Sequence, residues 1–438
     1  MIDAGSSGTR LYIYEYFKPS EPNLPLSIHP SRHPSGKQFS AKRVPGIATI
    51  EPTFLAVSAY LGPLIQEAAA FLDSSMHNDT NIYLKATGGM RLLPNPRKML
   101  NAVRGVLGDK AVSPFRFEER NHAGIISGEH EGLYAWLTVN HLLGHLYSPK
   151  AAKPAVVLDL GGASTQIAFE PDEIPLSSHY SVTTSSVRHE IYTHSYLRFG
   201  VEEARKRLYA SQIAQMDVHA EMMEDPCAWK GYNTTYTSST GTVYHVHGTG
   251  HFEKCHKQIG DSLLGLHTFC PAEPCGINGV YQAPIPPHAP IYAISAFAFT
   301  AEFFECGSKS NLTCLLDNAS NVCGTSTWSE VQQRYPKVPR IFLPGYCFGA
   351  AYMAQVLHQG YEIDDDRSIN FGNFMEDGTE ISWTLGAAIY EISVKVEESS
   401  GGQCEQAGMV SGAGKFAGNS WSVLVLVAVF VGLWNSSL

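Results

Sequence analysis

Two stretches of the chain, 156 residues apart, repeat one pattern. "IDAGSSGTRLYIYE" begins at Ile2 and "LDLGGASTQIAFE" begins at Leu158. Each runs Asp-x-Gly, a short Gly/Ser/Ala loop, Thr, and then a β-type run. A strand–loop–strand hairpin that occurs twice predicts two similar domains facing each other. One Gly/Ser loop on its own is more often a tight turn, but two matched copies are hard to obtain by chance. The alternation of strands and helices along the chain predicts an α/β layered architecture.

The chemistry of the paired loops suits phosphate. Gly5, Gly161 and Gly162 let backbone N–H groups approach an anion closely. Ser6, Ser7, Thr9, Ser164 and Thr165 add hydroxyl donors. Asp3 and Asp159 cannot touch phosphate directly without repulsion. Two carboxylates converging on a polyphosphate therefore imply a divalent cation between them, Ca²⁺ or Mg²⁺, held through water. "KATGGMRLL" (85–93) is either a third phosphate loop, with Thr87 and Gly88 near the anion and Arg91 beyond, or a plain strand-to-helix turn. "ISGEHEGLYAW" (126–136) sets Glu129 and Glu131 at the start of an apolar helix. Acids are favoured there by the helix dipole alone, but hydrolysis of a phosphoanhydride also needs a base to orient and deprotonate water.

Length and composition bound the alternatives. The 438 residues suffice for two or three domains, and 44% hydrophobic content supports a sizeable core. A formal charge of −10 with no basic cluster argues against a nucleic-acid surface. The nine cysteines all lie from Cys227 onward, none in a CxxC pair, so a zinc ribbon is not expected. Sequons at Asn78, Asn233, Asn311, Asn318 and Asn435, with the clustered cysteines, favour an oxidising secretory compartment. "YHVHGTGH" (244–251) offers His245, His247 and His251 either as metal ligands or as residues of an ordinary strand.

Along the chain, strands are expected at 11–16 and 81–86, and a strand–loop–strand at 154–170. Helices are expected at 53–72, 95–107, 132–146, 289–305 and 345–361. A closing strand-to-helix element is expected at 378–396. Residues 225–325 read as loop-rich and stapled by disulfides. The run 397–419 is Gly/Ser-rich and reads as a stalk. "SWSVLVLVAVFVGLW" (420–434) is apolar and uncharged. It reads as a GPI-anchor signal, preceded by small residues and a polar spacer, as a retained membrane anchor, or as a buried helix. Both anchor types need import into the secretory pathway, yet no signal peptide precedes Met1. A longer form is expected to carry an apolar strand ending at Ile2.

Taken in order, "DAGSSGTR", "KATGGMRLL", "SGEHEGLYAWLTVN", "LDLGGASTQ", "SAFAFT" and "ISWTLGAAIY" resemble the motifs of the nucleoside triphosphate diphosphohydrolase (apyrase) family. "IYTHSYLRFG", "DPCAWKGY", "CGINGVYQAP" and "YCFGAAYMAQVLHQGY" extend the resemblance to about Tyr390. It implies two ribonuclease-H-like domains of the actin/sugar-kinase/heat-shock-chaperone superfamily, with nucleotide in the cleft. Domain I would hold residues 1–127 and 381–396, and domain II residues 128–380 with disulfide-rich insertions. The implied activity is divalent-metal-dependent hydrolysis of nucleoside tri- and/or diphosphates.

By motif position the resemblance implies Glu131 as the base, with Ser164 and Gln166 holding the attacking water. It implies Asp3 and Asp159 at the metal, and Ser6, Ser7, Gly8, Thr9, Thr87, Gly161, Gly162 and Ala163 around the phosphates. Phe297 and Tyr352 would sandwich the base, and Lys230 would stand for a base-contacting Arg. Gly8 departs from the His of many cell-surface members, and Arg198 from a common Cys. The implied disulfides are Cys270–Cys275, Cys323–Cys347, Cys227–Cys255 and Cys306–Cys314, leaving Cys404. The alternatives are a polyphosphate hydrolase of the same superfamily and a non-catalytic nucleotide-binding protein. Oligomeric state is not legible.

Overall fold

The computed structural model describes residues 1–17, 24–148, 152–185, 187–217 and 219–399. The stalk, Cys404 and the apolar segment 420–434 lie outside them.

The first hairpin forms as its sequence predicts. Strand Ile2–Ala4 turns through a Gly/Ser loop into Thr9–Tyr12, antiparallel, with Asp3 opposite Arg10. On its other side it runs parallel to Leu84–Ala86, which is parallel to Ala123–Ile125. Ser40–Arg43 completes this five-stranded sheet beyond Thr9–Tyr12. The strand expected at 11–16 is split, with Tyr14–Phe17 pairing instead with Ser27–Pro30.

The second hairpin starts a second sheet on the same plan. Val156–Leu160 pairs antiparallel with Ser164–Phe169, which pairs antiparallel with Val187–Leu197. On the other side it runs parallel to Ile291–Ser295, which runs parallel to Ile369–Phe371. Ignoring the edge strands His179–Thr184 and Lys309–Ser310, both sheets place their strands in the chain order third, second, first, fourth, fifth. The repeat seen in two short motifs is thus a repeat of whole sheets. All five residues of Val156–Leu160 are buried, as its apolar run predicts.

Each sheet has its own core. Helix Phe54–Phe71 covers the first with Val57, Leu61, Leu64, Ile65 and Ala68. This helix is long and apolar enough to cross a membrane by composition, but it carries a core face. The second core is larger, and its aromatic interior includes Trp229, Phe297, Phe348 and Tyr352.

Three further expectations are corrected. The apolar run 289–305 is not one helix, because Ile291–Ser295 is a central strand and only Ala296–Phe303 is helical. A fully buried strand and a buried helix have the same apolar signature. Residues 225–325 are also more regular than their composition suggests, with a three-stranded sheet and helices Phe252–Ser262 and Leu312–Thr325. Among the described residues, Cys227–Cys255 ties the turn after strand Met222–Asp225 to helix Phe252–Ser262, Cys323–Cys347 ties helix Leu312–Thr325 to helix Tyr346–Gln355, and Cys270–Cys275 closes a loop. The pairing of Cys306 with Cys314 does not occur, and both are free thiols.

The sheets are joined through two crossing helices, Gly128–Leu142 and Trp383–Ser399. Leu385, Ala388 and Ile389 of the latter pack on Leu26 and Ile28 of the N-terminal lobe, and Glu391 pairs with Lys85 Nζ at 2.5 Å. The opposite side meets the other helix so closely that a Cβ on Gly386 would lie 1.9 Å from the Tyr134 carbonyl oxygen. Gly386 N–H donates to Thr138 Oγ1 (2.8 Å), whose hydroxyl donates to the Ser382 carbonyl (2.9 Å). Gly386→Ala is expected to destabilise the fold by about 1–3 kcal/mol, since the obstacle is backbone and cannot rotate away. A urea midpoint equal to the wild type's would show that the crossing yields freely.

Candidate active site

The parallel strands of each sheet end at its glycine loop, where open α/β sheets take ligands. Three loops meet there. A Cβ on Gly162 would lie 2.8 Å from Ser6 Oγ, and one on Gly89 would lie 2.8 Å from Ser6 Cα. A Cβ on Gly88 would lie 2.9 Å from the Ala163 Cβ and 3.1 Å from Ser164 Oγ. Loop 5–8, the turn after strand Leu84–Ala86 and loop 161–164 therefore pack against one another as one contiguous surface. "KATGGMRLL" is a member of that surface and not an isolated turn.

Within it, Ser6 and Gly5 are half-buried, Ser7 is exposed, and Gly162, Ala163 and Thr87 are buried. Gly161 is half-buried and closes the second turn by donating its N–H to the Ser164 carbonyl (3.0 Å). Thr9 is fully buried in its strand. Gly8 is confined, since a Cβ there would lie 3.0 Å from the Arg43 carbonyl oxygen.

Asp3 and Asp159 stand at matching places in the two first strands and are both buried. Asp3 Oδ1 has no hydrogen-bond partner, and the Arg10 guanidinium lies 3.8 Å from Oδ2. Burial pushes the Asp3 carboxyl up to about 7; Asp159 and Glu380 add to the rise and Arg10 opposes it. Burial also raises Asp159, against a hydrogen bond from Ser295 and the charge of Arg10. Two buried carboxylates, one with an oxygen left unpartnered, suit a hard cation with oxygen ligands.

Glu131 projects from the first turn of helix Gly128–Leu142, whose N-cap, Ser127, accepts from the His130 N–H. The helix starts four residues earlier than its apolar periodicity suggests, so Glu131 lies inside it. Its side chain is buried and paired with Arg91. Burial pushes Glu131 up to about 8, Asp159 and Asp3 add to this, and Arg91 opposes it. Gln166 Nε2 donates towards Ser164 Oγ (2.8 Å), Ser195 Oγ (3.0 Å) and Glu131 Oε2 (3.2 Å). The three residues expected around the attacking water are thus brought together. Arg91 and Ser195 are additional members. Both lie in quoted motifs, but nothing in the sequence tied them to Glu131 or Gln166.

Other expectations are not met. Phe297 and Tyr352 are both 0% exposed, so neither ring offers a face to a base. Tyr352 stacks on Phe348 at 5.5 Å, and its hydroxyl donates to the Phe199 carbonyl (2.7 Å). Phe299, about 200° round the helix from Phe297, is 47% exposed. Lys230 is exposed, and its backbone bridges to Thr327. His245 and His247 are exposed on strand Val243–Gly248, with His247 on Asn233 (2.8 Å). Among the described residues no group of three or more His, Cys, Asp or Glu side chains could hold a metal ion. The Asp3–Asp159 site is a pair.

Two matching hairpins whose glycine loops meet, with a buried glutamate in the first turn of a neighbouring helix, define a two-sheet α/β protein of a phosphatase type. The model of the GDA1/CD39 (nucleoside phosphatase) family matches residues 1–400, and the chain belongs to that family. It is 31% identical to mouse ectonucleoside triphosphate diphosphohydrolase 1 over 423 residues, covering 88% of this chain and 79% of that protein. It is also 31% identical to probable apyrase 3 of Arabidopsis thaliana over 408 residues, 90% of this chain and 82% of the relative. A nucleoside triphosphate hydrolase structure from Neospora caninum shares the fold with a TM-score of 0.64 at 15% identity, covering 90% of this chain and 92% of that one.

The raised Glu131 carboxyl has a stability consequence. Its proton is held more tightly in the folded state than in the unfolded one, between about 4.5 and about 8. Its contribution is therefore full at low pH and lost as pH rises through about 8. Metal-free wild type is expected to lose stability from pH 5 to pH 8.5 relative to Glu131→Gln. Parallel denaturation midpoints for the two proteins across that range would contradict the assignment.

Proposed function

We propose that the chain hydrolyses nucleoside tri- and diphosphates to the monophosphate and inorganic phosphate. The observation that carries this reading is the contact network of Glu131, Gln166 and Ser164 beside three convergent glycine loops. Glu131 takes a proton from a water held by Ser164 and Gln166. The resulting oxygen attacks the terminal phosphorus, and the shortened nucleotide leaves as its phosphate oxygen takes the bond's electrons. Backbone N–H groups and hydroxyls of Ser6, Ser7, Gly8, Thr9, Thr87, Gly161, Gly162 and Ala163 are assigned to the phosphates. Of these, Thr9 and Gly8 act through the backbone, given their burial.

Asp3 and Asp159 are assigned to Ca²⁺ or Mg²⁺. When bound, that cation neutralises polyphosphate charge between the two lobes. The names of the relatives support an extracellular or secretory-lumen setting for this reading, as the three disulfides do. Domain I is taken as 1–127 with 381–396 and domain II as 128–380. The second helix of the crossing then returns the chain to the first lobe.

Phosphate release should be measured on a panel of nucleoside tri- and diphosphates and inorganic polyphosphate, with each metal and with chelator. Nucleotides are expected to turn over and polyphosphate is not, and chelator should abolish release. Glu131→Gln is expected to lower kcat by about 10²–10⁴-fold. Equal release by Glu131→Gln and wild type would overturn the mechanism, and polyphosphate turnover in preference to nucleotides would overturn the substrate class.

A further inference from the structure

The segment "IYTHSYLRFG" has no role in the chemistry described above. It forms strand Val187–Leu197, which pairs antiparallel with Ser164–Phe169 and sets Ser195 directly opposite Gln166. Residues opposed in this way share a face of the sheet. Ser195 Oγ accordingly accepts from Gln166 Nε2 at 3.0 Å.

The same face of the strand seats the helix that carries Glu131. Thr193, two residues before Ser195, shares its face. Gly128 and Gly132, four residues apart, share a face of the helix. A Cβ on Gly128 would lie 2.1 Å from Ser195 Oγ, and one on Gly132 would lie 2.6 Å from Thr193 Oγ1. Thr193 also donates its hydroxyl to the Glu129 carbonyl (3.2 Å). Two glycines and two hydroxyls interlock, and Glu131 lies between the glycines in sequence.

We propose that Ser195 is a positioning residue for the hydrolysis, acting through the Gln166 amide; this rests on the site reading given above. Gln166 Nε2 has two hydrogens and three oxygen acceptors within 3.2 Å. Glu131 changes its acceptor strength when it takes the proton from water, and Ser164 serves the water itself. Ser195 is the acceptor that takes no part in the proton transfer. It keeps the amide plane in one orientation while the charge on Glu131 changes.

The test is steady-state kinetics on Ser195→Ala, Ser195→Cys, Gln166→Ala and the Ser195→Ala/Gln166→Ala double variant, with urea midpoints for each. Ser195→Ala is expected to lower kcat by about 10–100-fold, as a misplacement near the reacting atoms does, with KM within about twofold of wild type. Ser195→Cys keeps the side-chain shape at a slightly larger volume but supplies only a weak acceptor, so it should fall with Ser195→Ala, whose smaller side chain cannot overpack. The double variant should be no slower than Gln166→Ala, because the serine acts through that amide. Wild-type kcat in Ser195→Ala or Ser195→Cys would overturn the proposal. So would losses that multiply in the double variant, or a rise in KM without a fall in kcat. If Gln166→Ala itself keeps wild-type kcat, the reading of the water site fails and the proposal falls with it. If Gln166→Ala is slow while Ser195→Ala is not, only the proposal fails.

Discussion

Three carboxylates are buried in one neighbourhood, and the charges of two of them raise the proton affinity of the third. Asp3, Asp159 and Glu131 come from different elements, and the shift of Glu131 carries contributions from both aspartates. Arg10 and Arg91 oppose the charge without cancelling it. A group of this kind is unfavourable for folding by itself, because desolvated anions repel and nothing solvates them. Under the proposed function, a cation and an anionic substrate bound beside these acids would turn that disadvantage into selectivity. The duplicated hairpins, the glycine loops and the helix start all serve to deliver these acids to one place.

Close approach is the second constraint, and it is met by removing side chains. Gly88, Gly89 and Gly162 let three loops share one surface, each at a point where a Cβ would fall within 3 Å of another loop. Gly128 and Gly132 do the same for the helix of Glu131 against its strand, and Gly386 for the crossing of the two central helices. These glycines are governed by packing between elements far apart in the chain. Contacts of this sort are sensitive to one methyl group, most of all at Gly386, where the atoms opposite are backbone.

Much of this was legible in the residues. The paired Asp-Gly motifs marked both hairpins, and the buried strand Val156–Leu160 falls where its apolar run puts it, whereas the strand expected at 11–16 is split. The three disulfides match pairs implied by the family resemblance. What was not legible shares one cause. Ile291–Ser295 and Ala296–Phe303 form one uninterrupted apolar run, and local pattern cannot separate a buried strand from a buried helix. Phe297 and Tyr352 sit in apolar helices whose faces are chosen by the core, and the core enclosed both rings. Arg91 and Ser195 carry no local signal because their partners are 40 and 29 residues away.

The amino-acid sequence by itself determined the chemistry on offer: two phosphate-type loops, two aspartates, a glutamate at a helix start, and cysteines confined to one region. It could do so because hairpin turns and helix starts are specified by neighbouring residues. Only the tertiary structure decided which groups meet. Arg91 is drawn onto Glu131, Ser195 onto Gln166, and the loop after strand Leu84–Ala86 onto the two hairpin loops. Those meetings depend on strand register and on how closely two lobes can pack, and both are properties of the assembled sheets.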